Sequence, residues 1–390
     1  MRIAYISDGV LPSLSANAVQ ILQMASSMGQ LGHEVTVLTP WHPGAATGRK
    51  FDSACAALAL GSEFSLRYLR GPTFDNGRFS GSFGVLAACV ARASCFDLVY
   101  TRNVRIASFA TRIGCRVIQE SHAPHGPEVS GRQHKAALRI AQSNRLARWV
   151  FISARLKELV SADVQLPNER CLVEHDAVDL ARFEPVISRA QARAALGLRA
   201  STPLVVHSGH LYQGRGAEHL LEVAKRLPHT DFLFLGGLPE DISRLRQEAD
   251  ANGLRNLTFT GHLPLPRLPL YLFAANVLVM PYTSRTVTSD GKTQTIEYAS
   301  PMKMFEYMAA GRGIVATGFP AIGEVLRDGA NARIVRPDSP ESLLAGVQEL
   351  LERSDFSDVL GAQARKDVRS HTWEGRAQRI LCGIGQPGAK

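Results

Sequence analysis

The stretch from Ser300 to Gly311 reads SPMKMFEYMAAG and holds the residue types of an anion site at helical spacing. Serine is a good N-cap, and Pro301 suits the first helical position because the amide proton it lacks has no partner there. The spacing predicts a helix that starts at Pro301 and stops at Gly311. Its first-turn amides, on Met302 and Lys303, then offer N–H groups to an anion, and the Lys303 ammonium adds a full charge. A diphosphate fits such a place. Glu306, one turn further on, would accept two hydrogen bonds from the vicinal hydroxyls of a ribose. A second stretch, Ser208 to Gly216 (SGHLYQGRG), lies between an expected strand and an expected helix. Gly209 lets backbone approach a phosphate, Arg215 has the planar fork that binds two phosphate oxygens, and His210 supplies one more donor. Taken singly, a capped helix and a glycine-bearing turn are also the ordinary way to build such connections.

In the first half of the chain, Arg102 in YTRN follows an expected strand and suits an anionic acceptor or a phosphate, while His122 in ESHAPH directly follows another. No Asp-x-Asp pair sits near a strand end and no His/Asp/Glu cluster has ligand spacing, so no metal is indicated. Charge neutralisation then falls to the protein.

Those residues need a scaffold, and the apolar pattern supplies one. Ile3 to Ser7 is a short buried-type strand, a helix follows from Asn17 with Ile21, Met24, Ala25, Met28 and Leu31 at helical spacing, and Val35 to Leu38 is the next strand. Gly32 suits a left-handed cap between them. A strand, helix, strand unit of this length implies a parallel, doubly wound sheet. Leu98 to Tyr100, Val117 to Gln119 and Trp149 to Ile152 extend it. The pattern restarts with strands at Leu204 to Ser208, Phe232 to Leu235, Leu257 to Thr260, Val277 to Met280 and Ile314 to Thr317, and with a helix over Ala217 to Leu227. A chain of 390 residues exceeds one ordinary core. The expectation is two Rossmann-like α/β domains facing a central cleft, spanning 1–185 and 186–370, with a linker near Phe183 to Ser188 and a C-terminal helix, 371–387, returning to the first domain.

The formal net charge is +9, with a pI near 9.4, and favours an anionic partner. Basic residues concentrate between Arg102 and Lys157. The segment from Arg132 to Trp149 reads as a helix whose basic side chains fall on more than one face, so no sharp membrane-binding stripe is expected. Aromatic residues are too sparse there for a nucleic-acid stacking surface. Six scattered cysteines without a CxxC pair read as reduced, mostly buried thiols. No secretory leader or run of roughly 20 apolar residues is present, which places the expected protein in the cytoplasm.

Several stretches, in order along the chain, resemble the family 4 retaining glycosyltransferases of GT-B fold. GHLYQGRG is similar to that family's G-R-L-x-x-x-K-G phosphate motif, with His210 for the arginine and Arg215 for the lysine, and SPMKMFEYMAAGRGIVAT is similar to its donor-site helix. LGHEVTVLTP, EHDAVDLARF, TGHLPLPRLPLYLFAANVLVMPY and HTWEGRAQRIL also match. The resemblance implies a cytoplasmic hexosyltransferase of polysaccharide biosynthesis, acting without metal or cofactor on a nucleotide-sugar donor and a glycan or lipid-linked saccharide acceptor at the inner membrane face. It implies retention of configuration, catalytic roles for His122, Arg215 and Lys303, and donor contacts from Gly209, His210, His262, Leu263, Pro301, Met302 and Glu306. The family's first donor-site glutamate falls here at Tyr298, and Glu297, one residue out of register, is its candidate substitute. The family's N-terminal Gly-Gly loop is replaced by Ser15, Ala16 and Asn17; backbone amides there, with Arg102, form the expected acceptor side. No carboxylate pair of the hydrolase kind is evident. Same-face attack, with the departing phosphate oxygen taking the acceptor proton, is the expected mechanism. Two other classes remain open at this level. A nicotinamide-dependent oxidoreductase lacks its G-x-G-x-x-G after the first strand, and a non-catalytic nucleotide-sugar or nucleic-acid binding protein would use the same basic surfaces.

Overall fold

The computed structural model describes residues 1–13, 15–41, 60, 63–70, 81–212, 214–286 and 295–385. The chain divides into two compact units, Met1–Asp176 with Trp373–Lys390, and Ala177–Thr372. The boundary lies earlier than the expected 185/186, because Val178 and Phe183 are fully buried in the core of the second unit.

The first unit is a parallel sheet of β1 (Arg2–Ile6), β2 (Glu34–Pro40), β3 (Phe64–Leu69), β4 (Leu98–Thr101), β5 (Val117–Ser121), β6 (Leu146–Phe151) and β7 (Cys171–Val173) in the order β3-β2-β1-β4-β5-β6-β7. Its helices include α1 (Ala16–Gln30), α2 (Gly81–Ala93), α3 (Val104–Arg112), α4 (Gly131–Ala141) and α5 (Ala154–Asp163). Every residue of β4 and β5 is buried, as strands covered by helices on both faces must be. Ser15 starts α1 by accepting from the Ala18 amide at 3.2 Å, and Ile21, Met24, Ala25 and Met28 form its inward stripe.

The expected helix over Arg132 to Trp149 is two elements. Helix α4 ends at Ala141, and Leu146 to Phe151 enters the sheet between β5 and β7, with Trp149, Val150 and Phe151 completely buried. Arg145 and Arg148 therefore leave the helix. The basic residues that remain on it, Arg132, Lys135 and Arg139, fall on one face at i, i+3 and i+7. The cysteines also differ from expectation: all the described ones are free, but Cys89, Cys95 and Cys382 are exposed and Cys115 is the buried one.

The second unit repeats the plan with β8 (Leu204–Ser208), β9 (Asp231–Leu235), β10 (Leu257–Phe259), β11 (Val277–Met280), β12 (Gly313–Thr317) and β13 (Arg333–Val335), again parallel, in the order β10-β9-β8-β11-β12-β13. Its helices include α6 (Arg189–Leu196), α7 (Ala217–Arg226), α8 (Pro239–Ala251), α9 (Leu268–Ala274), α10 (Met302–Ala310), α11 (Pro340–Glu352) and α12 (Ser354–Asp367). The strand order reverses between β1 and β4 and again between β8 and β11. Connections there leave toward opposite faces and open a crevice outside the strands' carboxyl ends. Helix α13 (Trp373–Leu381) belongs to the first unit, where it packs on α1.

Candidate functional site

In the second unit the switch point is built by the turn after β8, the segment after β11 and the N-terminus of α10. Pro301 is the N-cap of α10 rather than its first helical residue, because its ψ of 123° is extended; no side chain caps the helix. The amides of Met302 and Lys303 consequently lie in the first turn, where they have no partner inside the helix. Tyr307 fastens α10 to the sheet, its hydroxyl accepting from the Ser208 amide at 2.7 Å.

The turn after β8 is shaped by close approach. Gly209 has φ +114°, and a Cβ there would lie 2.8 Å from Lys303 Nζ. Gly216, with φ +82°, would place a Cβ 1.7 Å from the Pro281 carbonyl oxygen, so only glycine lets α7 start against the end of β11. The Lys303 ammonium sits 5.2 Å from the centroid of Tyr282, and the Arg215 guanidinium lies 5.6 Å from that ring and 4.7 Å from Tyr212, to whose hydroxyl it donates. Tyr282 carries two cations on its π system. Burial, and then the Arg215 charge, push the Lys303 pKa down to about 7, partly opposed by Glu306. Such a site gains by taking up an anion.

Glu306 stands beyond Lys303. Burial raises its pKa, while Arg182 and Lys303 hold it back toward ionisation. Arg182 Nη2 is 4.0 Å from Glu306 Oε1, its Nε is 3.5 Å from Asp179 Oδ2, and its side chain is 8% exposed. The sequence reading did not single out Arg182; its signal lies inside EHDAVDLARF. His210 is exposed, with desolvation and the Arg215 and Lys303 charges lowering its pKa, and His262 is near enough for its charge to act on it. Leu263 packs against the core. Glu297 is exposed, and Tyr298, at the expected glutamate position, is buried. Arg215, Lys303, Gly209, Glu306, Met302 and Pro301 are thus brought together, and Glu297 lies in the turn preceding α10.

In the first unit, Arg102 Nη1 donates to Gln20 Oε1 at 3.0 Å and lies 3.5 Å from the Asn17 carbonyl oxygen, which joins Arg102, Asn17 and Ser15 around the start of α1. His122 follows β5 directly; its ring contacts the Glu120 carboxylate and is 18% exposed. Burial, then the Arg102 charge, lower the His122 pKa to about 4. His125 is buried, paired at 2.8 Å with Ser121 Oγ, which also accepts from Trp149 Nε1. A groove of about 330 Å³ runs between α2, α3 and α4 from Asp8 and Asn103 outward. Phe83, Val85 and Phe109 line its apolar part, and Arg105, Arg112, Arg132, Lys135 and Arg139 its rim.

Two family models match the chain, one described as Glycosyltransferase Family 4 over residues 18–182 and one as Glycosyl transferases group 1 over residues 202–353. The phosphatidyl-myo-inositol mannosyltransferase of Mycolicibacterium smegmatis is 25% identical over 378 residues, covering 93% of this chain and 87% of the relative. Three other curated glycosyltransferases are matched over only 40%, 58% and 53% of their own length. Among solved structures, sucrose-phosphate synthase of Thermosynechococcus elongatus superposes with a TM-score of 0.78 at 18% identity over 97% of both chains. Anabaena HepE in complex with UDP-glucose gives 0.74 at 14% identity over 98% of this chain and 99% of that one. At those identities the likeness is one of fold.

Proposed function

Since the chain belongs to glycosyltransferase family 4 and has the GT-B fold, we propose that it moves a hexosyl group from a nucleoside-diphosphate sugar bound by the second unit to a lipid-linked or glycan acceptor bound by the first. The observation that carries the donor half is the Lys303 ammonium over Gly209, beside Arg215 and the N-terminus of α10. Breaking the bond between the anomeric carbon and the diphosphate puts charge on the leaving oxygens, and preorganised cations there lower the barrier as that charge grows. Removing one such donor typically costs about 10²–10³ in rate. Glu306 binds the ribose diol, and the Arg182 and Lys303 charges oppose the burial that raises its pKa. No metal is required in this scheme, because Lys303, Arg215 and the helix amides meet the diphosphate. Its oxygen then takes the acceptor proton as the hydroxyl attacks from the same face, and configuration is retained.

The acceptor half draws on the basic groove. Five cations around an apolar floor suit an acidic amphiphile, and the mycobacterial relative's name includes a phosphatidyl-inositol acceptor. No helix among the described residues is long and apolar enough to cross a membrane; peripheral contact with the inner membrane face through this groove is the mode of access proposed. A differential scanning panel of nucleoside diphosphates and their sugars, in excess EDTA and beside NAD, tests the reading. One nucleoside diphosphate should raise Tm and NAD should not. Stabilisation only in the presence of Mg²⁺ or Mn²⁺, or by NAD alone, would overturn it.

A further inference from the structure

Glu120 is completely buried at the end of β5 and accepts hydrogen bonds from four separate segments. Gln20 Nε2 of α1, at 2.7 Å, and His122 Nε2 reach its Oε1; the Tyr100 hydroxyl of β4 and Arg376 Nη1 of α13, at 3.1 Å, reach its Oε2. Arg376 is also completely buried, and donates to the His175 and Glu174 carbonyls at 2.8 and 3.2 Å. A buried ion pair is seldom required for stability, since an apolar pair of similar volume often serves as well. This one ends on a histidine that is partly exposed at the strand edge where ligands bind.

The donor and acceptor roles follow from the atoms. An ionised carboxylate only accepts, so the His122 nitrogen facing Glu120 must carry the proton. Burial alone would raise the Glu120 pKa, but Arg376 and the His122 hydrogen bond outweigh it and hold the group well below the usual carboxylate range. In a neutral imidazole with Nε2 protonated, Nδ1 is an acceptor.

We propose that Glu120, held in place by Arg376 and Tyr100, is a positioning residue that locks His122 in the Nε2–H tautomer and presents Nδ1 as an acceptor for a carbohydrate hydroxyl. The inference rests on the transferase reading only for the identity of that hydroxyl. The returning helix α13 thereby acts on the sugar site through a single buried arginine.

Glu120→Gln separates the roles. The amide oxygen must stay with Tyr100 and Arg376, neither of which accepts in this arrangement, so the new NH₂ group faces Gln20 and His122. His122 Nε2 must then accept, and the proton moves to Nδ1. The experiment is long-range ¹H–¹⁵N NMR of the ¹⁵N-histidine-labelled full chain at pH 7, with donor turnover measured on the same samples. Wild type should show the neutral Nε2–H tautomer at His122, and Glu120→Gln the Nδ1–H tautomer, with kcat lowered at least tenfold and donor KM within about threefold. An Nδ1–H or doubly protonated His122 in wild type overturns the proposal, even if the variant does not fold. So does a variant whose tautomer flips while kcat stays at the wild-type value. The NMR readout needs no sugar, so the expected tautomers without any turnover of a donor panel would count against the transferase reading alone.

Discussion

Raising the pH from 6.5 to 8.5 should weaken nucleoside diphosphate binding by about 25-fold, because Lys303 loses its proton over that interval. Its pKa is about 7 in the unliganded chain, set by burial and by Arg215 sharing Tyr282 with it. Roughly three quarters of the molecules then carry the ammonium at pH 6.5 and about 3% at pH 8.5, and that ratio is the predicted loss, about 1.9 kcal/mol. The sign follows from linkage. A diphosphate prefers charged Lys303, so its binding is strongest below the free pKa, falls as pH rises through it, and levels off only above the higher pKa of the complex. At pH 8 binding should draw about 0.9 proton from solution. Isothermal titration in buffers of different ionisation enthalpy measures both quantities. Lys303→Arg keeps its charge across the range, and its residual slope reports the ligand's own titration. A wild-type slope no steeper than that of Lys303→Arg, or no proton uptake at pH 8, would refute the account of Lys303.

Arg215→Ala should lower kcat/KM by about 10²-fold or more with Tm little changed, and wild-type kinetics in that variant would remove Arg215 from the site. Glu306→Ala should cost about 2–4 kcal/mol in diphosphate affinity and abolish discrimination against the 2′-deoxy analogue, while Glu306→Gln should lose less; calorimetry with both ligands decides. Gly209→Ala forces a Cβ to within 2.8 Å of Lys303 Nζ at a φ of +114°. It should lower Tm through strain of about 1–3 kcal/mol and weaken diphosphate binding together, and an unchanged variant would contradict the packing. Arg132→Glu with Arg139→Glu should reduce sedimentation with acidic phospholipid vesicles at least tenfold while leaving diphosphate affinity unchanged; equal loss for neutral vesicles would point away from charge.

Most strands legible in the sequence were buried on both faces, such as Leu204 to Ser208 and Val277 to Met280, where solvent imposes no alternation; β10, an edge strand with no fully buried residue, was marked as well. The strands it did not mark, β3, β7 and β13, lie at sheet edges with half-exposed residues. Arg132 to Trp149 misled because Arg145 and Arg148 break the apolar run of an edge-ward strand and continue a helical-looking charge pattern. The residues of the turn after β8 and of the start of α10 were readable, since each segment is contiguous. What brings them together was not: the Lys303 approach to Gly209 depends on how α10 docks on β8. Glu120 and Arg376 stand 256 positions apart, and nothing local in ESHAPH or HTWEGRAQRIL indicates that one neutralises the other.

The proposed reaction is transfer of a sugar from a nucleoside-diphosphate sugar with configuration kept and no metal. Real-time ¹H NMR of the full chain with the donor that stabilises it, an acidic lipid-linked acceptor and excess EDTA observes the reaction itself. Retaining transfer should give stoichiometric release of the nucleoside diphosphate and a new anomeric signal with the coupling of the donor's own configuration. An inverted anomeric signal, or turnover that stops in EDTA and resumes with Mg²⁺ or Mn²⁺, would contradict it.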